Sequence, residues 1–277
     1  MIRPFLFVAL LGASVPAIAQ SEAALPDPND RSDTVTLALG GAYVPDYEGS
    51  DDYEFTPFGA IRGRLGGFSF NTRGTYLYVD LLRRPDSGVD FDFGPIVGVR
   101  RERTSKVDDV FVRTLGKRKT AIEVGAFAGV SFHGLTNPYD TLSLRVDAVH
   151  DIGNAHKSTV ITPAIDFGTP LSRRTYVGAS ISADFVTNKY ADYYYANPFV
   201  AIGPDAIAAN NPSGGMKNWR IGALVNQSIT GDLTHGLSIF GGANFSRLVG
   251  DIADSPIVAD RGSRSQWQLA TGLAYTW

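Results

Sequence analysis

The chain contains no cysteine in its 277 residues. Disulfides, thiolate metal sites and thiol nucleophiles are therefore excluded. Methionine is scarce, with two residues. Charge of one sign is missing too. The 25 basic and 28 acidic side chains leave a formal charge of −3, too balanced for a nucleic-acid partner. Beyond residue 19 no stretch offers the ~18 apolar residues of a membrane helix. The mean hydropathy of −0.04 does not speak against a membrane, because strands that alternate between two faces average to near zero.

The N-terminus reads as an export signal. Arg3 is its lone charge, Phe5 to Leu11 its apolar centre, and Ala17-Ile18-Ala19 its small-residue cleavage site. Cutting after Ala19 leaves a chain that starts at Gln20, so lipoprotein attachment is not expected. The alternative is an uncleaved anchor. Residues 20–33 form a polar periplasmic lead, and 34–277 are expected to form one membrane domain.

From residue 34 onward, apolar and small or polar residues alternate with period two. The segments are 34–44, 54–65, 67–72, 75–82, 89–101, 119–131, 141–151, 157–168, 175–187, 218–230, 236–248 and 265–277. No segment shows helical periodicity. In 265–277, Trp267, Leu269, Thr271, Leu273, Tyr275 and Trp277 share one face, and the chain stops on an aromatic. Such a strand separates lipid from a polar lumen. Its Leu273, Tyr275 and Trp277 resemble the assembly signal read by the barrel assembly machinery of bacterial outer membranes. The expected fold is all-β: a transmembrane antiparallel β-barrel of ten to twelve strands, with twelve preferred. Connections 45–53, 102–118, 188–217 and 249–264 are long. Placing them outside puts both termini in the periplasm. The weak stretch is 67–82, which reads either as a short hairpin or as one bulged strand.

The run Gly40-Gly41-Ala42-Tyr43-Val44-Pro45-Asp46-Tyr47-Glu48-Gly49-Ser50-Asp51-Asp52-Tyr53 is distinctive. With Pro57, the Gly-rich stretch near 66–74 and the aromatic last strand, it resembles the MipA/OmpV family. The resemblance implies an outer-membrane barrel. It also implies a scaffold that holds a lytic transglycosylase and a murein synthase, although other members are known as surface antigens or adhesion factors. No catalytic residue comes with the family.

Several groups of residues invite chemical readings. Asp46, Glu48, Asp51 and Asp52 crowd the first outer loop. They read as a cation site or as a solvated turn. Arg100, Arg101, Arg103, Lys106, Arg113, Lys117, Arg118 and Lys119 surround another outer loop. They could pair with lipopolysaccharide phosphates or form an ordinary charged loop. The lumen face is expected to carry Arg62, Arg64, Asp92, Arg100, Glu123, Arg145, Asp147, Asp166, Asp184 and Arg220, either paired as a plug or lining a wet channel. Tyr190, Tyr193, Tyr194 and Tyr195 read as an exposed binding surface, or as a girdle or packing over the mouth. His156 and Ser158 echo a phospholipase spacing, but nothing marks a base and nucleophile held by a third group. No enzyme activity and no cofactor is expected. The remaining function readings are a scaffold, a passive pore, or an adhesin working through its loops.

Overall fold

The computed structural model describes residues 32–82, 88–105, 107–198 and 207–277. The expected signal peptide lies outside the described residues, as does nearly all of the 20–33 lead. Twelve antiparallel strands close into one barrel, in the order β1-β12-β11-β10-β9-β8-β7-β6-β5-β4-β3-β2. They are β1 (Thr34–Pro45), β2 (Tyr53–Leu65), β3 (Phe68–Arg73), β4 (Tyr76–Asp80), β5 (Val89–Arg100), β6 (Ala121–His133), β7 (Thr141–Asp151), β8 (Thr159–Pro170), β9 (Thr175–Val186), β10 (Gly215–Ser228), β11 (Gly236–Leu248) and β12 (Ser265–Thr276). The doubtful stretch 67–82 is a hairpin, β3–β4, pairing Arg73 with Tyr76 at its tip.

Alternation explains the closure. Along β1 the odd residues face out and the even ones face in; Leu39 is 74% exposed, and Phe55 on β2 is 72% exposed. A continuous band of exposed Leu, Ile, Val and Phe encircles the wall. In water such a band would aggregate; in lipid it is the favourable surface. Aromatic rings mark both rims. Trp219, Phe245 and Trp267 pack in series as tilted rings at 5.5 and 5.0 Å near one end, and Tyr275 meets Trp277 at 4.7 Å near the other. No helix among the described residues is long and apolar enough to cross a membrane. The strands are the spanning elements.

The loops at one end carry short helices that no helical periodicity announces. Among the described residues they are α1 (Val110–Thr114), α2 (Asn188–Tyr195), α3 (Gly250–Ala253) and α4 (Pro256–Ala259). Each spans one or two turns, too little for a 3.6-residue period to show. Local chemistry starts two of them. Asp109 caps α1 by accepting the Val112 amide at 2.7 Å, and Pro256 opens α4. At the end that holds the C-terminus, the β6–β7 connection is a side-chain-braced turn. Asp140 alone accepts the amides of Leu135, Thr136 and Asn137 at 2.7, 2.7 and 3.2 Å.

Candidate functional site: a sealed lumen mouth

The described parts of the long connections between β1 and β2, β5 and β6, β9 and β10, and β11 and β12 gather at the end opposite the C-terminus. There they pack into a lid with its own apolar centre. Tyr47, Val107, Val112, Tyr190, Tyr194, Tyr195, Leu248, Ile252, Ile257 and Val258 are all buried in it. The lid is also hydrogen-bonded between loops. Tyr47 donates to the Ile257 carbonyl at 3.0 Å, and Ser255 donates to the Tyr195 carbonyl at 2.6 Å. Asp46 accepts the Asp108 amide at 2.8 Å, and Arg261 pairs with Asp109 at 3.0 Å.

Beneath the lid, the barrel walls meet on one tyrosine. The Tyr190 ring is 0% exposed. Arg100 of β5 lies 5.4 Å over it, and Lys217 of β10 lies 5.3 Å over it. The Lys217 ammonium donates to Glu48 of the first loop at 2.8 Å and reaches Asp184 of β9 at 3.1 Å. Glu48 also accepts from Tyr195 and Asn218, each at 2.8 Å. Beside this cluster, Glu123 of β6 takes Arg100 at 3.0 and 3.2 Å, His156 at 2.7 Å, and the Tyr76 hydroxyl. Deeper in the lumen, Arg73 of β3 crosses to Asp166 of β8 at 2.9 Å. Arg145 joins that carboxylate at 3.5 Å and also binds Asp147, which accepts Tyr78 at 2.9 Å. Cations and carboxylates from different walls therefore bridge the lumen at two levels. The upper network is buried, and buried ions persist when paired and hydrogen-bonded in this way; the Arg73–Asp166 pair below it is solvated.

Among the expected lumen charges, Arg100, Glu123, Arg145, Asp147, Asp166, Asp184 and Arg220 are in these networks; Arg220 meets Asp184 at 2.6 Å. Asp92 accepts the Ser131 hydroxyl at 2.5 Å. Arg62 and Arg64 occupy lumen-side positions at the other end of β2. Lys217 and Arg73 were missed. A bulge between Met216 and Asn218 breaks the β9–β10 register and turns Lys217 inward against the alternation. Arg73 sits at a hairpin tip, where parity is hard to assign.

For two groups the structure favours one of the alternatives that the sequence left open. The tyrosine cluster is not an exposed surface: Tyr190, Tyr194 and Tyr195 are buried in the lid, where their large apolar rings close the mouth. Tyr193 is partly buried and accepts the Lys119 amide at 2.9 Å. Nor do Asp46, Glu48, Asp51 and Asp52 converge as a cation site. Asp46 and Glu48 point to different lid partners, and among the described residues no three carboxylate or histidine groups are placed to hold a metal ion. His156 and Ser158 also part company. His156 turns to Glu123, while Ser158 bonds Thr187 at 2.5 Å.

The lid carboxylates respond to acid in opposite senses. Burial is the largest influence on Glu48 and pushes it up, but the charge and hydrogen bond of Lys217, with the Tyr195 hydrogen bond, together outweigh it, so Glu48 lies below the ordinary glutamate range. Glu102, whose carboxylate accepts the Glu48 amide at 2.9 Å, is held above that range by burial and then by Glu48. A depressed carboxyl stabilises above its unfolded pKa, and that stability is lost as pH falls through the folded value. A raised carboxyl does the reverse, since the folded state takes the proton first. Lid protection is therefore expected to rise as Glu102 protonates and to fall once Glu48 does. Amide exchange of Tyr190 and Tyr194, corrected for intrinsic rates, measures this. Protection that only increases with pH would refute the assignment.

The family profile described as "MltA-interacting protein MipA" matches residues 37–277. The chain belongs to the MipA family. That match runs from the first strand to the last residue, so this MipA-family protein is one outer-membrane barrel. No curated protein matches it. Among solved structures it is similar to a porin, with 8% identity, 89% of this chain and 99% of that chain covered, and a TM-score of 0.32. It is similar to a FadL homologue of Pseudomonas aeruginosa at 10% identity, with 90% and 91% coverage and a TM-score of 0.32. The outer membrane channel DcaP of Acinetobacter baumannii gives 10% identity, 88% and 96% coverage, and a TM-score of 0.32. At those values the likenesses carry nothing about function.

Proposed function

We propose that this MipA-family barrel is a non-catalytic structural protein. It holds murein-cutting and murein-building enzymes at the outer membrane through its periplasmic end. The observation that carries this reading is the buried Glu48–Lys217–Asp184 cluster under the lid, which closes the mouth of the lumen. A conduit would keep that path open. The family's printed name supports a transglycosylase of the MltA type as partner. The braced turn at Asp140 suits docking, because a rigid surface loses little entropy on binding. In this orientation both termini are periplasmic, and the lid faces outward.

The test uses the purified mature barrel on beads, with a purified MltA-type transglycosylase and, separately, a bifunctional murein synthase. Retention of either is expected. Replacing 134–140 and 229–235 with Gly-Ser linkers is expected to weaken it roughly tenfold, the factor that ~1.4 kcal/mol of contact supplies. Absence of retention at micromolar concentrations would remove the scaffold. Discrete conductance steps of the unmodified protein in a planar bilayer would favour the passive pore instead.

A further inference from the structure

The barrel wall has a notch beside β2. Val35 and Trp277 exchange both of their backbone bonds, at 3.4 and 2.9 Å, so odd residues of β1 bond β12 and even ones bond β2. The β1–β2 register then turns the amides and carbonyls of odd β2 residues away from β1, toward β3. The β2–β3 ladder starts only at Arg62, paired with Asn71. At Ile61 the two backbones have already parted, and the Thr72 hydroxyl meets both the Ile61 amide at 3.0 Å and its carbonyl at 3.2 Å. From Tyr53 to Ala60 no strand among the described residues pairs with this edge. The β3–β4 hairpin turns back at Gly74 and Thr75, both exposed. Its tip keeps to β5, where the Thr75 hydroxyl donates to the Val99 carbonyl at 2.5 Å.

The residues around the notch suit an open edge. Pro57 is an odd residue, so its hydrogen-free nitrogen faces the empty side; at an even position it would break the β1–β2 ladder. Tyr43 and Tyr53 stack at 5.0 Å on the rim, and Tyr53 accepts the Trp267 amide at 3.1 Å. These rings belong to the aromatic girdle, so Phe55 to Gly59 lies on its hydrocarbon side. Unpaired backbone at that depth is tolerated only where it borders a wet cavity. The wall beside the notch is apolar on both faces. Outside, the Phe55 ring lies over Gly41; inside, Phe58 and Phe240 meet at 6.0 Å, with the Phe240 ring over Gly272. Further along the lumen face of β2, Arg62 is exposed and has no ion pair among the described residues. Arg73, its side chain 40% exposed, stands at the foot of the notch.

We propose that this notch is a lateral portal, through which a single-chain anionic amphiphile of the fatty-acid class passes between the bilayer and the lumen. The hydrocarbon chain rounds the edge at Gly59, which has no side chain to block it, from the Phe55 face to the Phe58–Phe240 shelf. The amides of Phe55 and Gly59 offer hydrogen bonds to the carboxylate as it crosses, which a closed strand pair could not. Inside, the carboxylate meets Arg62, whose charge on a lumen wall at membrane depth is costly unless it is wet or paired. A carboxylate supplies two oxygens to the guanidinium fork. The lid closes the axial route and the notch opens beside it, so the two do not conflict. The portal does not depend on the scaffold reading.

The experiment uses the full mature barrel in nanodiscs of zwitterionic lipid, with radiolabelled oleate and oleyl alcohol as probes. Saturable binding of oleate, with the alcohol far weaker, is expected. Arg62→Gln is expected to weaken oleate about tenfold, the worth of one charge-assisted bond, and to leave the alcohol unchanged. Passage is read separately, as exchange of bound oleate against an excess of unlabelled oleate. Gly59→Cys adds the only thiol of the chain. Its Cβ would lie 3.5 Å from the Leu39 side chain and 3.7 Å from the Ala38 carbonyl oxygen, which are ordinary contacts. A bulky maleimide on that thiol is expected to slow the exchange severalfold. The same label on Gly241→Cys, where nothing lies within 4 Å, is expected to leave it unchanged. Arg62→Gln, at an exposed side chain, serves if Gly59→Cys does not assemble. No saturable oleate binding, equal binding of the alcohol, or an exchange rate indifferent to the label at residue 59 would overturn the proposal.

Discussion

Lys217→Met is expected to unseat the lid while leaving the barrel closed. Methionine keeps most of the stem's volume and removes the charge. Asp184 retains Arg220 at 2.6 Å and the Thr162 hydroxyl at 2.8 Å, so it stays compensated. Glu48 does not. Its remaining donors are the neutral Tyr195 and Asn218, and its charge is left under the lid without a cation. Removing one partner of a buried pair costs ~3–5 kcal/mol. The lower figure applies here because two hydrogen bonds survive. That cost falls on the contact between lid and wall. The β9–β10 ladder needs no lysine to hold it. Hydrogen exchange should accelerate in 187–197 and 249–264, with the strands unchanged. Adding Glu48→Gln should recover most of the protection, since an uncharged amide beside methionine strands nothing, and the cycle isolates the pair. Lid exchange identical to the parent protein would show that Lys217 fills space only.

This lid marks where sequence reasoning stops. Alternation in segments such as Ile122 to Val130 and Val177 to Phe185 places Glu123 and Asp184 on the lumen side, and the structure finds both there. That works because period two is a property of the strand itself and a closed barrel has only two faces. The hairpin at 67–82 was harder. Its strands are six and five residues long, short enough to pass for a bulge. Pairing across the lumen was not legible, since Arg73 and Asp166 meet only once the wall has curved round. Lys217 was hidden for a different reason: one inserted residue reverses parity, and a bulge leaves little trace in composition. The tyrosines of α2 have the composition of a binding surface and the burial of a core. Composition cannot tell which, because an aromatic ring serves both. Arg103 stood in the sequence as one of many loop cations. The burial of its Nη1 and Nη2 without hydrogen bonds, and its strained backbone, belong to the fold alone.

Gly272→Val is expected to abolish barrel closure. β12 is the last strand and must pair with β1, the first, to seal the wall. Gly40 and Gly272 face each other across that seam. A Cβ on Gly272 would lie 2.3 Å from the Leu39 carbonyl oxygen, 2.7 Å from the Gly40 Cα and 2.7 Å from the Phe240 ring; one on Gly40 would lie 2.3 Å from the Thr271 oxygen. Two of the three atoms met by residue 272 are backbone, which cannot rotate away, and the strands could separate only by breaking the ladder. In lipid each backbone group left unpaired costs several kcal/mol, so a splayed seam is no refuge. Phe240 is hemmed in on one side, where it packs edge-on against Phe58 at 6.0 Å. The heat-modifiable folded band should disappear from outer-membrane fractions carrying Gly272→Val. Gly241→Val is the matched control. It lies on the neighbouring strand with nothing within 4 Å of its Cβ position, and its odd parity on β11 points it to lipid, where valine gains apolar contact. A Gly272→Val protein that reaches the membrane and keeps its heat-modifiable band would mean that the seam tolerates side chains and that closure is set elsewhere in the wall.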